Sequence, residues 1–324
     1  MLFRSTTTRT LVTFDVDGTL VHGSGRAAAE SVHARAFSHA VSTVFHQGRP
    51  VTPVADALPR RLYHGSTDGL ILLRLVEATT PGVTAAQAFD KLDQLMDCMY
   101  DYVMAVDNDA ITEHIQPLPG VLDHLRTLAQ AEQYKNSVHC GLVTGNVEGI
   151  ARRKMHAVGI FDTTALSPPC WSQLKKYKET EHISFLGGFG SDYCSGNVQD
   201  LDRNYLDRAE QIAICTNRCR QSLLKSNNAA DSKPPRLARV VHVGDAPADV
   251  LAAKAFCQQQ QQLQQQSNDD DDDKLTVGMV AVATGSYSAD ELQALCGDPV
   301  PGVWEPIVLP TGMASPDFLQ ACGL

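Results

Sequence analysis

Two carboxylates, Asp15 and Asp17, stand two residues apart at the end of the apolar run Leu11-Val12-Thr13-Phe14 and are followed by Gly18-Thr19-Leu20. Where a strand runs out into a turn, residues at this spacing lean to the same side, so the pair can share one cation or one phosphoryl group. Gly18 lets the chain turn and approach a ligand closely. Two aspartates held this near cannot both stay ionised without a compensating charge. That points to a divalent metal, or to a division of labour between a nucleophile and an acid. The chemistry suggested is phosphoryl transfer through an aspartyl intermediate. Asp-x-Asp-Gly also occurs in plain turns and calcium loops, but a calcium loop needs a glutamate at its twelfth position, and here an Ala-rich segment follows.

Two further strand ends complement the first. Arg239-Val240-Val241-His242-Val243 runs into Gly244-Asp245-Ala246-Pro247-Ala248-Asp249, again placing carboxylates where a strand meets a helix, the edge at which open α/β sheets hold their ligands. Gly141-Leu142-Val143 runs into Thr144-Gly145-Asn146 and a helical pattern from Val147 to Val158. A hydroxyl and free backbone N–H groups at a helix start make a phosphate cradle.

The elements that must position these groups are legible as periodicity. From residue 120 onward strand-like and helix-like segments alternate, which implies βα units and a parallel sheet. Between Val21 and Gln116 the apolar positions recur at helical spacing, in Ala27 to Phe45, Thr67 to Val76 and Thr84 to Val106, and predict an all-helical cap. Pro117-Leu118-Pro119-Gly120 reads as the return linker. The expected division is therefore a catalytic core of residues 1–20 and 117–324 with a helical cap of residues 21–116. Gln47 to Pro59, Ser222 to Pro235 and Gln258 to Lys274 read as insertions. The last, a Gln-rich run passing into Asp269 to Asp273, is expected to be a disordered surface loop of residues 258–274.

With these motifs in order, the chain resembles the phosphatase branch of the haloacid dehalogenase superfamily. Asp15-x-Asp17-Gly18-Thr19, Thr144 and Gly244-Asp245 with Asp249 match its first, second and fourth motifs. His64-Gly65-Ser66-Thr67-Asp68, Gly187 to Asp192, Asp202-Arg203-Asn204 and Ala283 to Tyr287 resemble its phosphoglycolate-phosphatase-like subgroup. The resemblance implies an α/β fold, a Rossmann-like parallel sheet with an inserted helical cap, and a Mg²⁺-dependent phosphomonoesterase. Asp15 would be the nucleophile. Asp17 would protonate the leaving oxygen and then activate water, with its pKa raised by its neighbour. Thr144 would bind a phosphoryl oxygen. Asp15, Asp17 (through its backbone carbonyl), Asp245 and Asp249 would form the Mg²⁺ site. The basic residue of the superfamily's third motif is placed at Arg203, with Arg208 as the alternative. Gly18, Gly145 and Asn146 would cradle the phosphate. His64, Ser66 and Asp68 could touch substrate from the cap, or Ser66 or Thr67 could simply cap a helix whose dipole favours Asp68. A phosphotransferase or mutase on the same fold, and a non-catalytic scaffold recruiting partners through the Gln/Asp tract, are the alternative readings.

Composition sets outer bounds. The 324 residues are 43% hydrophobic with a formal net charge of −10, which argues against a nucleic-acid or anionic-membrane surface. A small phosphorylated metabolite is the expected partner, 2-phosphoglycolate the first compound to consider, and the number of subunits is left open. Nine scattered cysteines without a C-x-x-C pair predict a reduced, cytoplasmic chain. Nothing reaches the ~18 apolar residues of a membrane span. Met1 to Thr10 is read as a frayed terminus.

Overall fold

Strand β1 (Thr8–Phe14) is buried throughout its second half, Leu11-Val12-Thr13-Phe14, because both of its faces are covered. The computed structural model describes residues 8–22, 30–63, 65–135, 137–160, 185–225, 235–266 and 274–324. In it β1 lies inside a six-stranded, wholly parallel sheet with β4 (Val138–Thr144), β5 (Phe185–Phe189), β6 (Arg236–Gly244), β7 (Thr276–Val282) and β8 (Trp304–Leu309), in the order β5-β4-β1-β6-β7-β8. Side chains alternate between the two faces as the two-residue period demands. Val12, Phe14, Leu142, Val241, Val243, Val280 and Val282 fall in one apolar cluster, with Leu125 and Leu128 of the helix Val121–Gln130. Leu11, Val143, Val240, Val277, Met279 and Ala281 fall in another, against Tyr205–Lys225 and Pro247–Gln266. This is the Rossmann-like α/β core that the sequence predicts.

Register places the site. Phe14 stands opposite both Leu142 of β4 and Val243 of β6. The residues that follow therefore leave the sheet along one edge, in the crevice where the order turns from β4 on one side of β1 to β6 on the other. The β1 ladder begins at Thr8, paired with Arg236, so Thr8 to Thr10 belong to the sheet rather than to a frayed end.

Between β2 (Val21–His22) and β3 (Gln116–Pro117) the regular elements among the described residues are helices, and the two short strands pair antiparallel so that entry and return run side by side. The helices α1 (Val32–Phe45), α2 (Asp68–Thr79) and α3 (Leu92–Met104) carry an apolar cluster of their own, in which Phe37, Leu70, Leu73, Leu95 and Met99 are buried. That cluster continues onto Val147 and Ile150 at the start of α4 (Glu148–Ala157), the helix after β4, so the helical unit is seated on the core through apolar contact.

Helices α5 (Tyr205–Lys225) and α6 (Pro247–Gln266) cover the opposite face of the sheet. The second corrects the expected loop: α6 runs on through the glutamines to Gln266. Glutamine is a good helix former, and Gln260 is buried and accepts a hydrogen bond from Arg220 at 3.4 Å, so packing against α5 extends the helix. Residues 267–273, including Asp269 to Asp273, lie outside the described residues. Among the described residues no helix is long and apolar enough to cross a membrane.

Candidate active site

Asp15 follows β1 directly, and its backbone N–H donates to the Val243 carbonyl at 2.9 Å, continuing the ladder one residue past the strand. Its carboxylate meets Asp245 from the end of β6 and Asp249 from the first turn of α6. One ligand oxygen from each of the three buried aspartates lies within 4.8 Å of the others. Among the described residues, Arg208 Nη1 donates to Asp15 Oδ1 at 2.6 Å and Thr19 Oγ1 to Asp245 Oδ1 at 3.3 Å. Gly18, at φ 89°, brings the turn so close that a Cβ there would stand 2.4 Å from the Asp245 carboxylate. Only glycine suits both the left-handed backbone and that approach.

Electrostatics divides the aspartates. Burial, reinforced by Asp249 and Asp15, pushes Asp245 well above the ordinary carboxylate range. Burial also raises Asp15, against the pull of Arg208. For Asp249, Arg208 and His242 outweigh burial and keep the carboxylate below its usual value. His242 Nε2 lies 3.3 Å from Asp249 Oδ1 and its Nδ1 3.0 Å from Thr13 Oγ1, so a buried imidazole braces Asp249 from β6. A buried cluster of hard oxygen donors, two of them resisting ionisation, fits a divalent cation.

Asp17 departs from the sequence expectation. Burial would raise its pKa, but Lys154 and His33 lower it to about 2. Lys154 Nζ, on α4, donates to both carboxylate oxygens at 2.8 and 2.7 Å and to Asn146 Oδ1 at 2.8 Å, and lies 2.9 Å from His33 Nδ1. The reading of Asp17 as an acid raised by its neighbour is thereby corrected: the neighbour that decides its charge is a cation. Its carboxylate is not among the three that converge, and its side chain is 48% exposed.

The basic residue is corrected as well. Arg203 sits exposed on a single 3-10 turn, Leu201–Arg203, whereas Arg208, one turn into α5, is buried against the cluster. Besides Asp15, Arg208 Nη1 donates to the Val143 carbonyl at 3.0 Å and lies 3.4 Å from Asp249 Oδ1, and these carboxylates hold it firmly charged. Its position follows from the helical stripe: Arg208 precedes Ile212 and Cys215 by four and seven residues, on the face that α5 buries.

Thr144, Gly145 and Asn146 line the same cavity as Asp15, Asp17 and Gly18. Ser66 and Asp68 reach it from the helical unit, while His64 lies outside the described residues. Thr67, not Ser66, caps α2, and Ser66 Oγ accepts from Arg74. Asp68 is buried, accepting from the Val147 N–H at 2.9 Å at the start of α4 and lying 3.1 Å from His33 Nε2, while its own N–H donates to the Gly145 carbonyl at 2.8 Å. An unbroken polar chain thus runs from Asp17 through Lys154 and His33 to Asp68 and back to α4. Lys154 and His33 are the residues that motif reading misses. Lys154 had a signal: it lies four residues after Ile150 and seven after Val147, on the apolar stripe of its helix.

Residues 10–168 match the family model described as haloacid dehalogenase-like hydrolase. No curated protein matches the chain. Similar solved structures include CbbY from Rhodobacter sphaeroides in complex with phosphate, at 13% identity and a TM-score of 0.47, covering 97% of this chain and 99% of that one. They also include β-phosphoglucomutase from Clostridium difficile, at 13% identity and a TM-score of 0.46, covering 97% of each chain. L-2-haloacid dehalogenase from Xanthobacter autotrophicus is 14% identical with a TM-score of 0.36, covering 97% of this chain and 98% of that one. The fold rests on the strand order above and not on these likenesses.

Proposed function

Because residues 10–168 belong to the haloacid dehalogenase-like hydrolases, we propose that the chain is a Mg²⁺-dependent phosphomonoesterase, acting on a small phosphorylated metabolite such as 2-phosphoglycolate or a similar monoester. The observation that carries this reading is the convergence of Asp15, Asp245 and Asp249 within 4.8 Å, with Arg208 2.6 Å from Asp15. In it Asp15 attacks phosphorus in line and becomes the aspartyl phosphate, with the Arg208 guanidinium beside it to neutralise charge on the transferring oxygens. Asp15, Asp245 and the Asp17 carbonyl would hold the metal with Asp249 supporting them, and the ion would supply further charge neutralisation. Thr144 with the Gly145 and Asn146 backbone receives the phosphoryl oxygens. Asp17 enters ionised, suited to activate water in the second half-reaction. In the first, Asp17 relays to the leaving oxygen the proton that a substrate monoanion carries in, while Lys154 orients its carboxylate.

Residues 21–116 act as the cap in this reading, with Asp68 holding it closed over the reaction and opening admitting water and releasing product. The free cysteines among the described residues support a reducing, cytoplasmic setting. A screen of phosphorylated metabolites with and without Mg²⁺, run on the parent and Asp15→Asn, tests the proposal. The expected result is Mg²⁺-dependent release of phosphate, with a hydroxylamine-sensitive phosphoenzyme that Asp15→Asn does not form. Turnover that persists in excess chelator, or Asp15→Asn activity within about tenfold of the parent, overturns it.

A further inference from the structure

We infer that the leaving group is a bulky, largely apolar alcohol, so that the substrate class is alkyl or aryl phosphate monoesters rather than short phosphorylated acids. This rests on the phosphatase reading and sets aside 2-phosphoglycolate, the example named there, in favour of a larger ester. The cavity over the aspartates has a volume of about 630 Å³. Sites that take drug-sized ligands span about 300–1,000 Å³, and 2-phosphoglycolate would fill only a fraction of this one.

The lining explains what the remaining space suits. On each helix that reaches the core, the residue one turn beyond the polar contact is apolar and shares its face: Phe37 follows His33 on α1, and Ile71 follows Asp68 on α2. Val54 and Ile115 complete this side of the cavity. These four belong to the apolar cluster of the helical unit yet also face the site, so its core and its substrate wall are continuous.

Charge supports the same conclusion. Three Lys and Arg side chains occur among the described lining residues. Arg208 is committed to Asp15 and Asp249, and Lys154 to Asp17 and Asn146. The third, Arg60, is exposed and donates to Ser286 Oγ. Among the described lining residues Arg60 is the Lys or Arg side chain left to meet a second carboxylate or phosphate on the substrate, and an anion set instead against Phe37, Ile71, Val54 and Ile115 would carry a large desolvation cost.

Calorimetric titration of the full chain in Mg²⁺ with methyl-, ethyl-, propyl- and butylphosphonate and with phosphonoacetate tests the inference, beside kcat/KM for the matching phosphate esters and 2-phosphoglycolate. Affinity is expected to rise about fourfold per added methylene, the factor that burial of one such group supplies. Ile71→Asn should flatten the series. Val54→Asn, on a four-residue helix, carries the same measurement if Ile71→Asn lowers the melt. A flat series, or tighter binding of phosphonoacetate that Arg60→Ala removes, overturns the apolar subsite. The two readings fail separately. Hydrolysis of 2-phosphoglycolate at a hundredfold higher kcat/KM than butyl phosphate keeps the phosphatase and removes the subsite. The expected phosphonate slope without turnover of any ester keeps the subsite and removes the phosphatase.

Discussion

At the scale of single residues, the site is a problem in placing charge where water cannot screen it, and Arg208 is its pivot. Removing it leaves Asp15, Asp245 and Asp249 without the only guanidinium in contact with the cluster among the described residues. Arg208→Ala should therefore cost on the order of 10² or more in kcat, as loss of a phosphoryl clamp does. Arg203→Ala, at an exposed turn, should stay within about twofold. Steady-state kinetics of the two variants decides it, and the reverse ranking would displace Arg208 from the reaction. A second consequence concerns pH. Asp15 and Asp245 have raised values in the folded chain, so the stability they permit is full below the unfolded carboxylate value of about 3.9 and is lost as pH rises through their folded values. Asp17 is lowered to about 2, so its smaller, solvent-screened contribution is present above that unfolded value and is lost as pH falls. The Mg²⁺-induced rise in Tm should accordingly be small near pH 4 and grow toward pH 7, and Asp245→Asn should raise the metal-free Tm at pH 7 while removing the Mg²⁺ response. Thermal melts across pH with and without Mg²⁺ would show this, and a Mg²⁺ shift independent of pH would contradict it.

At the scale of elements, the helical unit meets the core most tightly at a backbone crossing. The Asp68 N–H donates to the Gly145 carbonyl, and a Cβ on Gly145 would stand 2.6 Å from the Ser66 carbonyl oxygen and 2.8 Å from Thr67 Cα. Gly145→Ala should hold the helices of residues 30–115 off the core while leaving the sheet intact. We expect kcat/KM to fall ten- to a hundredfold, with faster amide exchange at Val147, whose N–H would lose Asp68, and little change in exchange along β1 and β6. Unchanged exchange at Val147 would show that the two units do not depend on this contact. The strand ends that build the site were legible in the sequence because a buried parallel strand is a short apolar run and its ligand-bearing turn follows at once, as at Phe14-Asp15 and Val243-Gly244-Asp245. What the sequence hid were groups whose position depends on packing between elements. Arg208 rather than Arg203 is buried because of where the 3-10 turn ends and α5 begins, a boundary that periodicity leaves uncertain by a residue or two. Lys154 reaches Asp17 only because β4 and β1 are neighbours. The glutamines of α6 look like linker until Arg220 on the adjacent helix is placed beside Gln260.

At the scale of the whole molecule, an enzyme for a phosphate ester must attract an anion to a chain whose formal net charge is −10. Half of that excess is concentrated in Asp269 to Asp273, between α6 and β7 in the sequence. The chain passes down β6 to the aspartates, turns, and runs back along α6, a helix of 20 residues that at 1.5 Å per residue carries Gln266 about 30 Å from its start beside Asp249. That separation exceeds the ~8 Å Debye length at physiological ionic strength several times over, so charge joined to the chain beyond Gln266 is expected to be hardly felt at the site in ordinary buffer. In low salt, near 0.01 M, the Debye length grows to about 30 Å and its repulsion reaches an approaching dianion. Replacing all five with serine takes the formal charge from −10 to −5. The expected outcome is an increase in kcat/KM for a dianionic monoester of about twofold at 0.01 M salt, falling to none at 0.15 M, with kcat unchanged at both because the effect lies in encounter and not in chemistry. The contrast between the two salt concentrations is the decisive measurement. A loss of kcat at either one would mean that the tract acts on the reaction itself, and an equal gain at both would mean that it acts through contacts rather than through its field.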